Sequence, residues 1–222
     1  MAFPTEGVLM MTISDDKYAR TLSNLSTRFA YVNRLEHALV ADQEIVDLYR
    51  QLAAERPAAF NADLAMSLNN LSIRLSDLGH HEQALEAVQE AVDLYQQLAA
   101  DCPAAFNPDL MSSLNSLSVH LSNLGHHEQA LEAIREAVDL YRQLAADCPA
   151  AFNPDLAMSL TNLSNCLSDL GHCEQALEVI LEAVDLYRQL AMDHPAAFNP
   201  DLTMSLINLS NCLSDLGCQE QA

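Results

Sequence analysis

Two columns of polar side chains recur along this chain at an interval of 46 residues. One is an amide column, Asn24, Asn70, Asn162 and Asn208, with Ser116 in the third place. A carboxamide donates and accepts at once, so a row of them can pair with a peptide backbone irrespective of its side chains. Two other readings stay open: the amides tie neighbouring helices together, or they are solvated copies of one ancestral residue. The second column is His80-His81, His126-His127 and His172-Cys173, continued by Cys218. Imidazole and thiolate suit zinc or nickel. Adjacent turn residues point apart, however, and successive turns stand one unit apart, so the expectation is solvated histidines and no metal site.

Nucleophilic and acid–base chemistry have less support. Cys166 and Cys212 have no histidine or acid placed beside them by any recognisable motif and read as small packing residues. No phosphate loop, nucleophile elbow, H-E-x-x-H or dinucleotide fingerprint is present. The acidic residues fall on solvent-facing stripes, where no pocket would shift them into catalytic roles. The expectation is a non-enzymatic chain with no catalytic residue and no cofactor.

The elements that carry these columns follow from the repeat. Pro-Ala-Ala-Phe begins at Pro57, Pro103, Pro149 and Pro195, and Leu-Gly ends at Gly79, Gly125, Gly171 and Gly217. A fixed period of this length signals a solenoid, in which no unit buries its apolar face alone. The units are read as 16–61, 62–107, 108–153 and 154–199, with a partial fifth at 200–222, all within a solenoid over 15–222. The segment 1–14 is read as a cap, its Val8, Leu9, Met10, Met11 and Ile13 covering the flank of the first helix. The fifth unit stops inside its second helical pattern, which fits either a longer protein or an open edge.

Within the second unit, Leu64, Leu68, Leu71, Leu75 and Leu78 recur at the spacing of one helix face, and this is helix A. Asn107-Pro108-Asp109 and its copies at Asn153 and Asn199 predict the start of helix A. After the glycine, Ala84, Val88, Ala91, Val92, Tyr95, Leu98 and Ala99 form the stripe of helix B. Its back is acidic, with Glu82, Glu86, Glu90 and Asp93. At 1.5 Å per residue helix B is about 30 Å long. Phe60, Phe106, Phe152 and Phe198 fall in the connecting segments and read as plugs between stacked units.

Composition narrows the partners. The chain of 222 residues carries 31 acidic and 10 basic side chains, a formal charge of −21. Nucleic acid needs a positive footprint, and anionic membrane surfaces repel such a chain, so neither is expected. Six of the ten bases lie in the first unit and its loop, which leaves the rest strongly acidic and favours a basic partner. There is no apolar run long enough to span a bilayer and no secretory leader, so an intracellular, cytoplasmic protein is expected. The six cysteines contain no C-x-x-C pair and recur by duplication rather than as a disulfide framework.

Leu68, Leu71, Ser72, Leu75, Gly79, Ala84, Val88 and Ala91 resemble the tetratricopeptide signature, in which small residues let two helices approach closely. The unit departs from the standard 34 residues and lacks the family's Trp and its helix A Tyr. The long helix B, the proline after it and the Leu-Asn-Asn-Leu at Leu68 look most like the tetratricopeptide units of kinesin light chains and related bacterial and fungal proteins. The resemblance implies an α-solenoid, a right-handed superhelix of antiparallel helix pairs, that binds a peptide or protein segment on the concave side lined by helix A. The residues implied there are the amide column with Asn69, Asn165 and Asn211. Met66, Met158 and Met204 would add apolar contact, and Asp77, Asp169 and Asp215 would meet basic groups. The alternative functions are self-assembly through the open C-terminal end, giving a homo-oligomer, or service as the sensor or scaffold part of a larger signalling protein.

Overall fold

The computed structural model describes the backbone of residues 6–219 and the side chains of residues 17–217. Within them the secondary structure is helical: α1 Glu6–Tyr31, α2 Leu35–Glu55, α3 Pro57–Asp77, α4 His81–Asp101, α5 Pro103–Asn123, α6 His127–Asp147, α7 Pro149–Asp169, α8 Cys173–Asp193 and α9 Pro195–Gln219. Odd-numbered helices are helix A and even-numbered ones helix B. Residues up to Asp109 form one compact unit and those from Leu110 a second. In the first, α1, α2, α3 and α4 pack as successive neighbours, and in the second α6, α7, α8 and α9 do the same, with α7 also touching α9.

The A-to-B turns have one backbone solution. Gly79, Gly125 and Gly171 take φ of +80°, +79° and +76°. The following His amide reaches back to a leucine carbonyl, His80 to Leu75 at 2.8 Å, His126 to Leu121 at 2.9 Å and His172 to Leu167 at 2.8 Å. The glycine amide meanwhile bonds Ser76, Ser122 or Ser168. This pair of bonds closes a Schellman turn and satisfies carbonyls that helix A would otherwise leave open. Asn33 replaces glycine in the first unit and keeps the geometry at φ +57°, which asparagine tolerates better than other residues with a Cβ.

Helix A begins earlier than Asn-Pro-Asp predicts. It starts at Pro57, Pro103, Pro149 and Pro195, so the Ala-Ala-Phe segments are helical turns and Pro108, Pro154 and Pro200 lie inside their helices. Proline at the first helical position loses no bond that the helix would have made, which makes the outer proline the true start. α3 has Ala62 at the inner site and spans the same 21 residues, so the inner proline does not set the path. Phe60 is buried, its ring 6.4 Å from that of Tyr49 on α2, as a plug between units should be. Phe106, Phe152 and Phe198 are half-buried.

Gly217 is also unlike its counterparts, because α9 runs through it to Gln219. For the predicted cap, the backbone of α1 is helical from Glu6, while the side chains of Val8, Leu9, Met10, Met11 and Ile13 lie outside the described residues.

The packing follows the two stripes. In the first compact unit, Leu64, Leu68, Leu71 and Leu75 of α3 share a core with Ala84, Ala87 and Ala91 of α4 and with Ile45, Val46 and Tyr49 of α2. Small residues set the close approach: Ser72, Ser118 and Ser164 are fully buried. The Ser164 hydroxyl donates to the Ala176 carbonyl at 2.9 Å across the A–B seam. Cys166 and Cys212 are buried packing residues, each sulfur lying 3.4–3.6 Å from two serine hydroxyls of the preceding helix A. On the other side of the B helices, Arg50 pairs with Glu90, and Arg142 with Glu182 at 2.6 Å, each from one helix B to the next.

The first unit breaks the apolar rule at one place. Asp42 of α2 is buried where the later copies have Val88, Ile134 and Ile180. It accepts hydrogen bonds from Ser26 and from Arg74, the latter at 3.4 Å. Arg74 in turn stands where the others have His120, Cys166 and Cys212. Burial pushes the Asp42 carboxyl above its ordinary range, and the bonds from Ser26 and Arg74 only partly offset this. Partial burial raises Asp109 and Asp155 as well. A carboxyl raised by folding holds its proton more tightly in the native state, so stability falls as pH rises through the folded pKa.

Two predictions follow from this packing. Leu160→Ala, at a fully buried site, costs about 2–5 kcal/mol by chemical denaturation, whereas Leu206→Ala, its partly exposed counterpart, costs about 1 kcal/mol or less. Restoring the residues of the later copies with Asp42→Val and Arg74→Cys raises stability at pH 7 by about 1–4 kcal/mol. The same double substitution reduces the gain in melting temperature expected of the parent chain as pH falls from neutral toward the ordinary carboxylate range. An unchanged slope would remove Asp42 from the pH dependence.

Candidate functional site

The first compact unit contains a cleft of about 360 Å³ between α1, α2 and α3. Its walls include Asn24 and Asn70 from the amide column, and Met66, which is half exposed. Arg20, Asp42, Tyr49 and Asp63 complete its polar lining. Helix periodicity explains the convergence: Arg20, Ser23 and Asn24 form one face of α1, and Asp63, Met66, Ser67 and Asn70 form one face of α3. Both faces lie opposite or beside the leucine stripes, so packing of the stripes turns the polar sides into a shared trough. The Asn24 amide nitrogen donates to the Arg20 carbonyl of its own helix at 3.1 Å, which leaves its oxygen and second hydrogen for other partners.

A buried tyrosine edged by acids recurs at the A-helix starts of both units. Tyr95 is raised above its ordinary pKa first by burial, then by Asp109 and Asp63. Tyr187 repeats this with Asp201 and Asp155. These side chains favour positive charge beside them and hold the tyrosines neutral throughout the physiological range.

In the second unit the amides pair sideways. Asn162 donates to Asn115 at 3.0 Å, and Asn208 donates to Asn165 at 3.1 Å. Each bond runs from one helix A to the preceding one, so the reading in which amides tie helices together describes these two. Asn162 and Asn208 remain half-buried, while Asn165 is exposed, and the face they share is open. Ser116 bonds the Ser112 carbonyl of its own helix at 3.1 Å. Asn69 is half-buried and Asn211 exposed. Met158 and Met204 are exposed on the same side as the amides.

The acidic candidates divide. Asp77 pairs with Arg74 of its own helix at 3.2 Å. Asp169 approaches Nδ1 of His127 at 3.4 Å, a distance without hydrogen-bond alignment. Asp215 is exposed. His80, His126 and His172 are exposed at the starts of the B helices and cap nothing with their side chains. Among the described residues no three His, Cys, Asp or Glu side chains converge as metal ligands would, and the Cys218 side chain lies outside that set. No described helix is long and apolar enough to cross a membrane.

Sequence reasoning missed Asp42, Tyr49 and Asp63 as walls of the cleft. A signal for Asp42 was present: it is one acid in a column of Val, Ile and Ile.

Comparison with known proteins gives the same architecture. A crystal structure of a Podosopora anserina protein assigned to the kinesin light chains, with nearly identical TPR-like repeats, superposes with a TM-score of 0.69 at 18% identity. The match covers 91% of this chain and 88% of that one. BtubC (BKLC) of P. vanneervenii superposes with a TM-score of 0.59 at 18% identity, covering 93% and 84%. Apo RapI has a TM-score of 0.65 at 13% identity, and there the chain spans about half of the longer protein, 88% against 48%. No curated protein matches by sequence. Tandem helix pairs and these neighbours make the fold all-α, of the α-solenoid class. The tetratricopeptide repeat model matches residues 64–100, 110–146 and 156–196, just over half of the chain, and the chain therefore belongs to the tetratricopeptide repeat family, whose members serve in general as protein-interaction scaffolds.

Proposed function

We propose that this chain is a non-enzymatic scaffold that captures a peptide or protein segment along the polar sides of its A helices. The observation that carries this reading is the cleft of the first unit, where Asn24, Asn70 and Met66 meet around a volume of about 360 Å³. That volume accommodates a few side chains of an extended peptide or one face of a short helix. Asn70 and Asn24 offer donors and acceptors to its backbone, and Met66 offers an adaptable apolar contact. Asp42 and Asp63 line the same cleft and favour a ligand that places Lys or Arg between them. In the second unit the exposed Asn165, Asn211, Met158 and Met204 continue the same chemistry, while Asn162 and Asn208 keep the helices in register. The acidic surface, at −21 overall, speeds the approach of basic partners.

A displayed library of random peptides, selected on the 222-residue chain, tests this reading. Enriched sequences rich in Lys or Arg are expected, and their binding weakens as salt rises. The triple variant Asn24→Ala, Asn70→Ala, Met66→Ala binds the selected peptides about tenfold or more weakly, consistent with the loss of two hydrogen-bonding groups and an apolar contact. Selected peptides that bind parent and variant equally would take the cleft out of the function.

A further inference from the structure

We propose that Asp42 is the residue by which the first-unit cleft selects its ligand: the Asp42 carboxylate receives one guanidinium or ammonium group of a bound peptide, and protonation of Asp42 lets that group go. The inference rests on the cleft reading above and adds what chooses the side chain and what releases it.

It starts from a column that breaks its own rule. Asp42 is 6% exposed, on a stripe of α2 whose later copies hold Val88, Ile134 and Ile180 at 0%. An acid in an apolar seam costs stability, and departures from the local pattern concentrate at functional sites. The structure gives this one a use. Asp42 lies in the wall of the cleft between α1, α2 and α3, and Ile45 and Tyr49 of the same helix continue that wall. In the second compact unit the corresponding positions are Ile134 and Ile180, so no acid stands there.

The Asp42 carboxyl group is held in place without being saturated. Its Oδ1 accepts the Ser26 hydroxyl from α1, and its Oδ2 accepts Nε of Arg74 from α3 at 3.4 Å. A carboxylate has about four lone-pair directions, so about two remain for donors that enter the cleft. Arg74 does not serve Asp42 alone, because its Nη1 also bonds Asp77 at 3.2 Å. One positive charge is thus divided between two carboxyl groups. The other groups around Asp42 are Arg20 on α1, Asp63 on α3 and Tyr49 on its own helix. With Asp42 ionised, Asp42, Asp63 and Asp77 stand against Arg20 and Arg74, one negative charge in excess. A ligand cation supplies what this set lacks, through a charge-assisted hydrogen bond.

The same placement makes capture depend on pH. Burial pushes the Asp42 carboxyl above its ordinary range. Protonation removes the charge that the cation needs, so this part of the affinity is present above the folded pKa and lost as pH falls through it.

The probe is an end-blocked alanine pentapeptide with one central arginine, compared with the same peptide carrying citrulline, which keeps the shape of arginine and lacks its charge. Each is titrated at millimolar concentration into the isotope-labelled 222-residue chain and followed by NMR. At pH 7 the arginine peptide binds about tenfold more tightly than the citrulline peptide. Its affinity declines as pH falls from neutral toward the ordinary carboxylate range, whereas that of the citrulline peptide does not. Asp42→Asn, which preserves the shape, abolishes both the preference and the decline. Asp42→Val combined with Arg74→Cys does the same on a more stable chain, so loss of fold is not the cause. Asp63→Asn and Asp77→Asn leave the decline on acidification in place. Survival of the arginine preference in either Asp42 variant overturns the proposal, as does a decline that vanishes with Asp63→Asn or Asp77→Asn. Equal binding of the two peptides by the parent chain overturns this inference and spares the cleft reading; binding of neither overturns both.

Discussion

The seam between a leucine stripe and a stripe of small residues governs this molecule. Leucines of helix A fill the space that the alanines of helix B leave free, as Leu68, Leu71 and Leu75 do against Ala84, Ala87 and Ala91. Paired antiparallel, they interlock, and buried serines such as Ser164 bring the backbones close enough for a hydroxyl to reach across. Each helix then needs a neighbour on both sides, and a chain of such needs is a solenoid. The polar sides of the A helices are left over by this packing, and it is there that partners can be met.

Near-identical copies make the chain its own set of controls. Leu160 and Leu206 report what a neighbouring helix does to one leucine. Gly79 and Asn33 report that a left-handed turn is set by the returning helix and its two backbone bonds, with glycine the residue that adopts it at least strain. Asp42 and Arg74 show that the first unit accepts a buried ion pair where later units accept valine or isoleucine beside histidine or cysteine. The same pair places a carboxyl group in the wall of the cleft.

Much of this was legible in the residues. The stripes at Leu64–Leu78 and Ala84–Ala99 predicted both helices, and the period predicted their tandem order, because burial periodicity is a local property repeated many times. The start of helix A was misread, since two prolines five residues apart both suit a first turn and only the path of the chain chooses between them. The amide column was seen, but its sideways pairing was not. Whether Asn208 turns to solvent or to Asn165 depends on the spacing of adjacent helices, which periodicity alone does not carry. Asp42 escaped notice for another reason: a single acid in an apolar stripe is conspicuous only when the copies are compared column by column.

If neighbours supply the stability, protection should follow the number of neighbours and not the sequence of the helix. Amide hydrogen exchange measured helix by helix tests this directly. The account predicts slow exchange in α7, which packs against α6, α8 and α9, and faster exchange in α9, although the two helices share most of their residues. Equal protection of α7 and α9 in the monomeric chain would contradict it.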